Sequence, residues 1–141
     1  MTEEAYKAKK VLKDFVQLDK RIEEKYERIK ALLDSATRAT PSMEAERVSG
    51  TGEKSRLESV MIRKIDLERQ LDKSIDKLNA QRFEIQNAID AMEDSREKRL
   101  LELRYIDGRS WASVTTRMEI SESMSFALHE AALIHFAEIF F

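Results

Sequence analysis

Residues 100–133, LLELRYIDGRSWASVTTRMEISESMSFALHEAAL, decide the fold of this chain. Leu100, Leu103 and Ile106 mark the apolar side of one helix. The Asp107-Gly108 pair that follows ends it, because Gly accepts the left-handed backbone at a helix C-terminus. Ser110 is a good N-cap, and behind it Trp111, Val114 and Met118 recur at three and four residues, one face of a helix of about two turns. Ser121 caps a third helix, with Ile120 just outside it as a core plug. A two-turn helix, a turn of three or four residues and a further helix with a short polar front make a helix-turn-helix, in which the second helix lies in the major groove of DNA. A three-helix knot packed only for stability carries the same periodicity.

Leu103, Arg104, Tyr105, Ile106, Gly108, Ser110 and Trp111 precede the turn. Ser121, Glu122, Phe126, Leu128 and His129 follow it. In this pattern the chain resembles region 4 of bacterial sigma factors, in the version carried by small phage-encoded transcription regulators of the late-gene activator type. The likeness continues more loosely in LDKRIEEK near residue 18 and RVSGTGEKSRLES near residue 47. The resemblance implies a promoter-acting regulator that binds double-stranded promoter DNA and contacts host RNA polymerase in the cytoplasm of a bacterial host. Its candidate DNA contacts are Arg109, Ser110, Arg117, Ser121, Ser123, Met124, Ala127 and His129.

This chain departs from the resemblance in one respect. Direct readout needs Arg, Lys, Asn or Gln at base edges, and here the exposed recognition positions are Ser123, Met124 and Ala127. From Glu119 to Phe141 there is no Lys or Arg, against four acids, Glu119, Glu122, Glu130 and Glu138. Ser125 stands where the family tends to place an apolar residue. Arg109 and Arg117 flank the second helix, where phosphate contacts give position but not sequence.

Composition sets the wider frame. The chain has 141 residues, 37% of them charged, with one Pro and three Gly, which favours long helices over sheet. It has no Cys, so disulfides and thiolate metal sites are excluded and a reducing compartment is natural. No run of about 18 apolar residues exists, and MTEEAYKAKK lacks a signal-peptide core. A net charge of −2 argues against strong nonspecific binding to DNA, which needs clustered Lys and Arg.

Upstream, Thr2 caps a helix with Glu3 and Glu4 in its first turn. Ala5, Ala8, Leu12, Phe15, Ile22, Tyr26, Ile29 and Leu33 form a heptad seam to about Arg38, roughly 50 Å long. Residues 35–52 hold the only Pro and two of the three Gly. They predict a loop over 38–52, with one helical turn from Thr40-Pro41 through Val48. A nucleotide-binding reading of that loop fails on spacing. A second long helix runs from about Glu53 to Met92, with Leu57, Val60, Met61, Ile65, Leu67, Leu71, Ile75, Leu78, Ile85, Ile89 and Met92 inward and Arg82 on the seam. A shift of phase near Leu67 to Ile75 reads as a stutter.

The predicted architecture is therefore all-α: a long antiparallel helical hairpin over residues 1–93, a coiled-coil arm for oligomerisation or polymerase contact, and a three-helix module over 94–141. Pairing Arg38 with Glu53 makes facing residue numbers add up to about 91, with Val16 near Ile75, Leu12 near Leu78 and Lys73 as the partner of Asp19. Asp94 with Glu97 forms a capping box that starts the module, although a continuous helix from 53 through 105 is the other option.

The last helix, ALHEAALIHFAEIFF, is apolar on almost every side and must be covered. That points to self-association, with Leu133, Phe136, Ile139 and Phe140 as interface candidates, or to docking on a partner; folding back along the arm is the alternative. Catalytic readings fail. His129 and His135 are six apart, so H-E-x-x-H is not met, and no nucleophile set, metal site or cofactor motif is present. The rival to the regulator is a coiled-coil interaction protein whose helix-turn-helix serves protein contacts.

Overall fold

The computed structural model describes residues 1–38 and 50–141, and these are helical with no strand among them. The order is α1 (Glu3–Arg38), α2 (Gly50–Asp90), α3 (Ser95–Leu101) running into a π-helical turn (Glu102–Ile106), α4 (Trp111–Met118) and α5 (Glu122–Phe140). The predicted turn from Thr40 to Val48 lies outside the described residues. The predicted loop, however, extended to Gly52, whereas α2 already begins at Gly50.

The chain forms two compact units. One comprises Met1–Asp19 with Leu78–Phe141; the other is Lys20–Lys77. Glu93 and Asp94 both lie in the first unit. α1 and α2 pair antiparallel, and in each unit the side-chain partners fix the register. In the first, an Arg82 guanidinium nitrogen lies 4.0 Å from Asp19 Oδ1, and its carbon stands 5.6 Å from the Phe15 ring centroid. In the second, Lys25 Nζ donates to Ser74 Oγ at 3.1 Å.

Facing residue numbers thus add up to about 100 rather than 91, and Arg82, not Lys73, is the partner of Asp19. The expectation matched helix ends across the loop. Instead the register follows the buried surfaces. Ala5, Ala8, Leu12 and Phe15 are at most 1% exposed, in the same unit as Ile85, Ala88 and Ile89.

The phase of both seams also differs from expectation. In the Lys20–Lys77 unit, the inward positions of α1 are Ile22, Lys25, Ile29 and Leu32, and Tyr26 is exposed. On α2 they are Leu57, Val60, Lys64, Leu67 and Leu71, while Met61 and Ile65 are exposed. Each seam admits a lysine, whose aliphatic stem packs while the ammonium reaches a polar neighbour. Lys25 reaches Ser74, and Lys64 reaches Glu68 at 3.5 Å.

The break between α2 and α3 resolves the choice left open by the sequence. α2 ends at Asp90, Met92 N–H donates to the Ile89 carbonyl, and Asp94 caps α3 by accepting from the backbone N–H groups of Arg96 and Glu97 at 2.9 and 3.1 Å. The reciprocal half of the capping box is not used. Glu97, 4% exposed, turns its carboxylate to His135 instead.

Candidate nucleic-acid interface

The helix-turn-helix forms where the local signals put it. The π-helical turn closes with Asp107 N–H donating to the Glu102 carbonyl at 2.8 Å, and Gly108 follows in the left-handed region at φ 69°. Ser110 Oγ accepts from Ser113 N–H to start α4, and Ser121 Oγ accepts from Met124 N–H to start α5. Between them Glu119 sits at φ 55°, ψ 45°, a conformation that costs a residue with a Cβ about 1 kcal/mol. Two hydrogen bonds hold it there, from Glu119 N–H to Thr116 and from Ile120 N–H to Thr115.

Behind the turn Val114, Leu100, Leu101 and Leu133 are fully buried. Trp111 sets its ring edge-on to His129 at 4.6 Å, under the Arg104 guanidinium at 4.8 Å. Arg104 also donates to the Arg109 carbonyl at 2.7 Å, so this cation braces the turn from inside.

On the front of α5, Ser121, Ser123, Met124 and Ala127 are exposed together, as are Ser110 and Arg117 on α4. Ser125 is buried, its hydroxyl donating to the Glu122 carbonyl at 2.6 Å, which explains how a polar residue is accepted at an apolar position. Arg109 is half-buried, with a covered Nε that has no hydrogen-bond partner among the described residues.

His129 is the correction among the DNA candidates. It is 5% exposed, and its Nε2 lies 2.7 Å from the Tyr105 hydroxyl. Burial, aided by Lys9, Arg104 and Lys13, lowers its pKa to about 4, and burial pushes Tyr105 up to about 12. A neutral, covered imidazole is a core bracket and does not reach DNA.

Arg96 lies in the first turn of α3. One of its guanidinium nitrogens lies 3.8 Å from Met124 Sδ. This puts a cation against the front of α5, the charge that α5 itself lacks. The sequence carries no signal for it, since the two residues are 28 apart.

Among the interface candidates, Leu133 and Phe136 are at 0% exposure within one chain, so they are intramolecular core and not a self-association surface. α5 packs on α3. Ile139 remains 42% exposed and Phe140 half-exposed. Beside them a cleft is lined by Glu93, Asp94, Glu97, His135 and Glu138. There His135 Nδ1 donates to Glu97 Oε2 at 2.7 Å, which raises the His135 pKa. Among the described residues no group of His, Asp or Glu is placed to hold a metal ion, and no helix is long and apolar enough to cross a membrane.

No curated protein and no solved structure matches this chain. One family profile does, described as "Protein of unknown function (DUF1492)", and it matches residues 37–136, 100 of the 141 residues, including α2, the turn and most of α5. The chain therefore belongs to the DUF1492 family.

Proposed function

We propose that the chain is a phage-type transcription regulator that binds double-stranded promoter DNA, with the region-4-like module at the DNA and the helical arm available for oligomerisation or for host RNA polymerase, in the cytoplasm of a bacterial host. One observation carries this reading. The front of α5 exposes Ser121, Ser123, Met124 and Ala127 while Ser125 and His129 turn inward, and the cations of Arg96 and Arg117 stand on the neighbouring helices. Small side chains let a helix enter a groove closely, and flanking arginines supply phosphate contacts. With no Lys or Arg on α5, affinity rests on those flanking cations, and sequence preference rests on hydroxyl and methyl contacts and on DNA shape.

A second reading has its own observation. Phe126 is 58% and Met124 45% exposed amid Glu119, Glu122 and Glu130, an apolar and acidic surface suited to a protein partner. Anisotropy of labelled duplexes selected from a random pool separates the two. The regulator reading expects binding that weakens steeply between low and moderate salt, and that Arg96→Glu and Arg117→Glu each reduce about tenfold across all sequences. Failure to bind any duplex at low salt removes that reading and leaves protein contact.

A further inference from the structure

The Lys20–Lys77 unit buries little of its apolar surface. Only Ile29 and Leu71 reach the core among its described residues, at 7% and 9% exposure. Two paired helices have one shared seam, and any apolar residue on the far side of either helix stays in water. On α2 that far side is not polar throughout. Ile62 is 62% exposed and Ile65 44%, with Met61 beside them at 50%. At about 100° per residue, Glu58, Ile62, Ile65 and Arg69 fall within about 60° of arc, roughly 150° from the centre of the inward row Leu57, Val60, Lys64, Leu67 and Leu71.

We infer that this stripe is a self-association surface: a second copy of the chain lays its own α2 antiparallel across it. The pattern of charge selects that occupant. In heptad terms Ile62 and Arg69 occupy one seam position, Glu58 and Ile65 the other, and antiparallel coiled helices pair one kind with the other. A two-fold axis passing between residues 63 and 64 sets Ile62 of each copy against Ile65 of the other. The same axis sets Glu58 of each copy against Arg69 of the other, and Ser55 against Asp72.

The apolar centre is thus closed at both ends by opposite charges, and no layer opposes like charges. Glu58 and Arg69 are exposed, and neither has an ion-pair partner among the described residues. A two-fold interface must be complementary to itself, and this stripe is. The inference does not depend on whether the module binds DNA.

Sedimentation equilibrium of the full chain over a concentration series tests it, with circular dichroism to confirm helix content. The wild type should pass from the 16.4 kDa monomer to a dimer, and Ile62→Ser should remain monomeric. Glu58→Arg and Arg69→Glu should each weaken association roughly tenfold, since each creates two like-charge layers. The double variant should regain it. A wild type that stays monomeric throughout overturns the inference. So does a dimer indifferent to both single reversals, which is held by another face such as Ile139 and Phe141.

Discussion

His129 shows how one residue changes role between sequence and structure. The resemblance places it among the DNA contacts, yet its ring packs against Tyr105 and Trp111, and the charges of Lys9, Arg104 and Lys13 act on it. Stability should carry its signature. The folded pKa is about 4 and the ordinary value 6.5, so the unfolded chain binds the proton first. The contribution is fully present above pH 6.5 and is lost as pH falls towards 4, a change of a few kcal/mol. His135 has the opposite sign. Its pKa is raised by the hydrogen bond to Glu97, so its contribution is present below pH 6.5 and lost as pH rises through the raised value. Thermal melts across this range should show a flatter acid limb for His129→Gln than for the wild type. An unchanged limb would assign the acid sensitivity to other groups.

At the scale of elements, α5 is apolar on almost every side, and the structure divides it between core and surface. Leu133 and Phe136 belong to the core, and Ile139 and Phe141 stay outside. Phe136→Ala should cost about 3–5 kcal/mol and Leu133→Ala about 2–5 kcal/mol in chemical denaturation. Ile139→Ser, at a position 42% exposed, should change stability by less than about 1 kcal/mol. Comparable losses at all three positions would mean that the end of α5 is also covered. The helix-turn-helix was legible because each signal is local: Gly108 at a left-handed turn, and Ser110 and Ser121 as caps within three residues of the N–H groups they serve. The π-helical turn and the left-handed Glu119 had no such signal. Neither ELRYI nor a glutamate announces that geometry, which the packing around it imposes.

For the whole molecule, burial is uneven. The unit holding Met1–Asp19 and Leu78–Phe141 contains almost the entire core, whereas Lys20–Lys77 contributes Ile29 and Leu71. Opening free energy follows buried apolar contact. Amide hydrogen exchange in dilute solution should therefore be faster around Ile29 and Leu71 than around Val114 and Leu133, and should slow as concentration rises if α2 self-associates. Uniform protection along α1 and α2 would show that the sparse unit is held by something other than its own seam.

The amino-acid sequence by itself determined the all-α class, the two long helices, the caps and the turn, because heptad spacing, Ser caps and Gly breakers act over a few residues. Tertiary structure decided what depends on distant partners. It chose the phase of each seam, where Tyr26-Lys25 and Ile65-Lys64 offered neighbouring alternatives. It set Asp19 on Arg82, drew His129 inward, and placed Arg96 beside Met124. A side chain's local spacing states which face it lies on, and only the packing of the other helices states which face is covered.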